Sequence, residues 1–149
     1  MIFLLTNIKY QILVYTMSTS SNKVLSVYNS RNTLVSIVRS KGYNADEYDS
    51  FSINEIDAMY KTNQLDMLLS HNETDRKIYI KYYLKAKQIK KQDLDEIIED
   101  LYFIENVLQK EDTLVIVTEF ESNDTIIAKI KFLYEHDDIF IVIHNIKRL

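Results

Sequence analysis

From Leu65 to Leu84 apolar and polar positions alternate. Leu65, Met67 and Leu69 alternate with Asp66, Leu68 and Ser70, and Ile78, Ile80, Tyr82 and Leu84 alternate with Lys77, Tyr79, Lys81 and Tyr83. The polar tetrapeptide Asn72-Glu73-Thr74-Asp75 separates the two runs. A period of two sets one side of each strand in a core and leaves the other available, so the stretch reads as a β-hairpin.

The flanking pattern changes period. Between Asn22 and Lys41, Val24, Tyr28, Arg31, Val35 and Val38 fall on one side, with Val27, Leu34 and Ile37 beside them. That spacing predicts a helix, and Gly42 stands where a left-handed C-terminal cap belongs. A second helix is expected from Ile53 to about Thr62, with Ser52 and Glu55 at capping-box spacing. After the hairpin, Leu94, Ile97, Ile98, Leu101, Ile104 and Leu108 recur at three and four residues, predicting a helix over Lys91–Gln109. Leu114–Thr118 and Ile139–Ile143 are short continuous apolar runs, the mark of strands covered on both faces. Between them Ile127, Ile130, Leu133 and Tyr134 predict a helical buried stripe, capped by Ser122 or Asn123. Strand, helix, strand here implies a right-handed parallel crossover. The expected fold class is α/β: a single domain built on a small mixed sheet with helices on both faces.

Composition narrows the chemistry. The 149 residues hold one Gly, no Pro and no Cys. A disulfide framework, a zinc finger and a thiol nucleophile are therefore excluded within this sequence, as is a glycine-rich phosphate loop. A net charge of −4 argues against tight nucleic-acid binding by bulk electrostatics, so any phosphate contact must come from a local patch. The apolar start Met1–Thr16 is broken by Asn7, Lys9 and Gln11, too interrupted for a bilayer span or a signal peptide. No membrane association is expected. Residues 1–22 are read as a non-native or disordered extension, with Met17 as the natural first residue, and 23–149 as the domain.

Three groups of residues bear on function. Arg76, Lys77, Lys81, Lys85, Lys87, Lys90 and Lys91 form a basic run interleaved with Tyr79, Tyr82 and Tyr83. Such a run is either a solvated face or a contact for nucleic acid or an acidic partner. Asp66 followed one hairpin later by Lys81 is the skeleton of a nuclease site in which carboxylates hold a divalent metal and lysine helps activate water. The second carboxylate should stand two residues before the lysine, where this chain has Tyr79, and Glu55 is the remaining acid available to such a set. His71, His136 and His144 show no ligand spacing, and Ser70 beside His71 points to the opposite face. No catalytic residue, metal or cofactor is expected.

Several ordered segments carry a resemblance: VRSKGYN (Val38 to Asn44), DEYDSFSINEI (Asp46 to Ile56), LDMLLSHNE (Leu65 to Glu73), KIYIKYY, and DTLVIVTEF between two helices. Through residues 24–144 the chain resembles the N-terminal jaw domain of the shared fifth subunit of eukaryotic-type RNA polymerases. That resemblance implies a restriction-endonuclease-like fold without its catalytic set, in agreement with Tyr79. It implies a non-catalytic component of a DNA-directed RNA polymerase that touches other subunits, especially the largest, and weakly contacts downstream DNA. Together with the Ile-, Lys- and Asn-rich, Pro-free composition, it looks like a version from a large DNA virus. The implied setting is intracellular, in the host nucleus or a cytoplasmic viral factory, with packaging in the virion among its implications. The family continues into a compact C-terminal assembly domain, whereas this sequence reaches Leu149 where that domain should begin, so a fragment or an altered mode of docking is expected.

Overall fold

The computed structural model describes residues 22–86 and 88–149. The expectations for Met1–Thr16, Met17 and Lys87 lie outside the described residues. Residues 22–40 are helical (α1), followed by a short 3-10 turn at Asp46–Tyr48 and helix α2 at Ile53–Lys61. Strands β1 (Met67–Ser70) and β2 (Lys77–Tyr83) form the expected antiparallel hairpin. Helix α3 (Lys91–Ile98) leads through a π-helical segment, Glu99–Ile104, to β3 (Thr113–Thr118). Helix α4 (Asp124–Asp137) then returns the chain to β4 (Phe140–Asn145). The four strands lie in the order β1-β2-β3-β4, with β3 parallel to both β2 and β4. The protein is thus an α/β domain on a mixed sheet. Among the described residues, no helix is long and apolar enough to cross a membrane.

Two cores sandwich the sheet. On one face α1 and α2 pack Val27, Leu34, Val35, Val38 and Ile56 against Met67, Leu69, Ile78, Ile80 and Val117. On the other, α3, the π-helical segment and α4 pack Leu94, Ile97, Leu101, Ile126 and Leu133 against Leu114, Ile116 and Ile141. Two crossovers that step the same way along a sheet with the same hand must cover one face. This corrects the reading of the hairpin's second side as open: Tyr79 and Tyr83 pack against the second core.

Helix ends follow local chemistry. Gly42 has φ +93°, and Gly42 and Tyr43 donate their N–H groups to the carbonyls of Arg39 and Val38 at 3.1 Å, closing α1 in a Schellman cap. Ser52 Oγ accepts from Glu55 N–H at 3.2 Å, and Asn123 Oδ1 accepts from Ile126 N–H at 3.0 Å.

Three expected helical faces are altered. The long helix stops at Ile104: the π-helical turn adds a residue, bringing Tyr102 inward and leaving Ile104 exposed, and Asn106, at φ 54°, ends it. In α4 the buried stripe is Ile126, Ile130 and Leu133, so Ile127 and Tyr134 face out. In α1, Ile37 is exposed, whereas Arg31 is buried at 2% exposure, on the side the spacing assigns it.

The β1 edge is occupied by its own connection. The Tyr48 hydroxyl donates to Leu68 O and accepts from Leu68 N–H, both at 3.1 Å. Asn44 N–H donates to Ser70 O at 2.9 Å, and Tyr43 forms an isolated bridge with His71.

Candidate functional site: an occupied carboxylate in a mixed-charge cleft

Asp66 immediately precedes β1, and antiparallel pairing of Met67 with Ile80 sets it beside the middle of β2. Its Oδ2 accepts from Lys81 Nζ at 3.0 Å and from the Tyr79 hydroxyl at 3.2 Å, and its Oδ1 accepts from Tyr82 N–H at 2.9 Å. The spacing that brings Asp66 to Lys81 is therefore real, and the carboxylate is already engaged by three donors. The Tyr79 phenol, two residues before Lys81, is itself bound to the carboxylate. Burial, followed by the charge and hydrogen bond of Asp66, raises the Tyr79 pKa well above the ordinary tyrosine value. The phenol thus stays protonated as a donor.

The other members of the nuclease-like set do not join it. Glu55 is exposed on the first turn of α2, outside the residues that line the cleft around Asp66. Among the described residues no group of three or more His, Asp or Glu side chains is arranged to hold a metal ion. Lys81 Nζ donates to Asp66 Oδ2 in a half-buried ion pair. The three contacts tie the entry of β1 to the middle of β2.

A cleft of about 530 Å³ opens beside this hub. Lys61, Lys81 and Lys85 line it from the side of α2 and β2, and Asp93, Glu96 and Asp100 line it from α3 and the following π turn. Lys61 is paired with Asp57 at 2.9 Å and Lys81 with Asp66 at 3.0 Å. Lys85 is the cleft lysine with no ion-pair partner among the described residues. Tyr83 also lines the cleft, and its pKa is pushed up to about 12 by burial, then by the neighbouring Asp93 and Glu96 carboxylates. A phosphate entering here would meet carboxylates as well as lysines, so the cleft is poorly suited to a nucleic-acid backbone.

The basic run divides. Arg76 and Lys77 stand at the start of β2, while Lys85, Lys90 and Lys91 lie beyond its other end. At a rise of about 3.3 Å per residue, the strand between them spans about 20 Å. Arg76, Lys85, Lys90 and Lys91 are exposed; Lys77 and Lys81 are half-buried. The run is thus two small basic groups at opposite ends of the sheet, joined by an internally paired lysine.

The three histidines remain apart in role. His71 Nδ1 accepts from the N–H groups of Glu73 and Thr74 at 3.1 and 3.2 Å, ordering the hairpin turn. His136 stacks on Phe132, and His144 lies in β4.

Sequence reasoning missed the acidic wall, because it depends on which side of α3 meets the sheet. It did place Arg31 on the buried side of α1, but not what the side chain does there. Arg31 Nε donates to Leu65 O at 3.4 Å, and the guanidinium sits 5.7 Å from the Tyr48 ring and 5.2 Å from the Phe51 ring. Desolvation lowers its pKa, opposed by Tyr82, Tyr48 and Asp66. No protein-family model matches this chain, and no curated protein matches it at significant similarity.

Proposed function

We propose that the chain is a non-catalytic jaw module of a multisubunit DNA-directed RNA polymerase, of the restriction-endonuclease-like type, acting through contacts with other subunits and a weak contact with downstream DNA. The observation that carries the non-catalytic part is the Asp66 hub. A carboxylate that accepts from Lys81, Tyr79 and Tyr82 N–H has its oxygens committed to the fold. The polymerase part rests on the ordered segments. VRSKGYN ends α1 in its glycine cap, LDMLLSHNE supplies β1 and its turn, KIYIKYY is β2, and DTLVIVT enters β3 ahead of the second crossover. The exposed basic groups at the two ends of β2 are the DNA-facing candidates, and weak contact is what a few surface lysines on an acidic domain would supply.

The test is affinity purification of the tagged natural protein from cells in which it is expressed. Recovery of the large subunits of a DNA-directed RNA polymerase supports the reading, and recovery of none overturns it. Incubation with plasmid DNA and magnesium or manganese addresses the competing nuclease reading: cleavage lost on Lys81→Ala would install that reading instead.

A further inference from the structure

Among the described residues, the sheet has an open side at β4. Its described strand partner is β3 alone. Phe140–Asn145, FIVIHN, contains no proline and no Lys, Arg, Asp or Glu, the residues that ordinarily guard an edge. Helix α4 extends the apolar character beside it. Ile127 and Tyr134, seven residues apart and so on one face, are 55% and 58% exposed. The Tyr134 ring meets Phe140 edge-on at 5.7 Å, and Phe140 is itself 45% exposed. A groove of about 350 Å³ runs between helix and strand, lined by Phe120, Ile127, Ile130, Ile141 and Ile143 among others.

Charge is distributed unevenly along this edge. Glu135, Asp137 and Asp138 precede β4, and Lys147 and Arg148 follow it. Asp137, Asp138 and Lys147 make no ion pair among the described residues. A strand laid antiparallel along β4 with the same polarity of charge would meet acid with base at both ends. Laid parallel, it would meet like with like.

We infer that the occupant is a second copy of this chain, with β4 pairing antiparallel to β4 across a twofold axis. The two sheets then join into one, and the two α4 helices come to lie on the same side of it, where Ile127, Tyr134 and Phe140 of each copy are covered. Opposed residues in an antiparallel pair point to the same face. A twofold axis perpendicular to the sheet preserves faces, so the axis must pass through a residue paired with its own copy. At the centre of the strand that residue is Val142 or Ile143. This contact does not rest on the polymerase reading and is tested separately from it.

The chain has no cysteine, so single introduced thiols report proximity without background. Opposed Cα atoms in an antiparallel pair stand about 4.5–5.5 Å apart, within disulfide range. Val142→Cys or Ile143→Cys is expected to give a disulfide-linked dimer on mild oxidation, and Leu68→Cys, at the opposite edge, is not. Sedimentation velocity on the full chain is expected to show a monomer–dimer equilibrium. Tyr134→Lys and Phe140→Lys, both at exposed positions, are expected to weaken it by about tenfold or more while circular dichroism shows the fold retained. A chain that stays monomeric up to about 1 mM overturns the inference. So does a dimer that ignores both lysine variants, or cross-linking at Leu68→Cys equal to that at the β4 positions.

Discussion

Replacing Asp66 by alanine tests whether the carboxylate belongs to the fold or to a reaction. The substitution leaves the half-buried Tyr82 N–H without its acceptor, which costs about 1–3 kcal/mol. It also removes the ion pair with Lys81. With side-chain exposures of 24% and 33%, that pair is discounted for solvent screening to about 1 kcal/mol or less. Loss of the acceptor for the Tyr79 phenol adds about 0.5–1.5 kcal/mol. Because the three contacts share one group they do not add fully, and about 2–4 kcal/mol is expected in all. For a chain of this size each kcal/mol moves Tm by about 2–4 °C, so Asp66→Ala should lower Tm by roughly 5–15 °C. Lys81→Met removes the ion pair alone and should move Tm by less than about 4 °C. Asp66→Asn, which keeps an acceptor oxygen for Tyr82 N–H, should fall between them. Thermal and urea unfolding of the four proteins, read by circular dichroism, makes the measurement. A wild-type Tm for Asp66→Ala would refute the hub, most decisively if the same variant lost a divalent-cation-dependent nuclease activity.

Two further outcomes follow from other parts of the molecule. Gly42→Ala should destabilise by about 1–2 kcal/mol from its left-handed backbone alone, and by more because a Cβ there would lie 2.7 Å from His71 Nε2. Urea unfolding of Gly42→Ala with His71→Ala should show the two changes to be non-additive, since only the steric part is relieved. The phenols of Tyr82, Tyr83 and Tyr102 are each pushed up to about 12 chiefly by burial, from a value of 10.0 when unperturbed, and Tyr79 is raised further. A raised folded-state value means stability is complete below the unfolded value and is lost as pH rises through the folded one. Stability should therefore fall between about pH 10 and pH 12, and absorbance titration should show these tyrosines ionising after the exposed ones.

Much of the framework was legible along the chain. The hairpin follows from strict alternation at Leu65–Leu84, and the two parallel strands from the unbroken runs LVIVT and IFIVI. Periodicity predicts which residues share a stripe, but not how wide the stripe must be. Helix α4 covers the last strand of the sheet, so it buries Ile126 and Leu133 and leaves Ile127 and Tyr134 out. Nor can a period of 3.6 foresee the π turn that exchanges Ile104 for Tyr102. At the site, the meeting of Asp66 with Lys81 was readable from spacing, whereas the commitment of Asp66 to a backbone N–H depends on strand register. The basic run looked continuous only because sequence does not display the length of β2.

The phenol of Tyr48, satisfying both backbone groups of Leu68, has a bearing on how large any assembly can become. Under the proposed β4 pairing, a molecule sealed along β1 and, among the described residues, open along β4 is lengthened once, after which no unsatisfied flank is left to recruit a third. Tyr48→Phe would free both backbone groups of Leu68 while Asn44 still covers Ser70, and so would measure how much of that seal the phenol supplies.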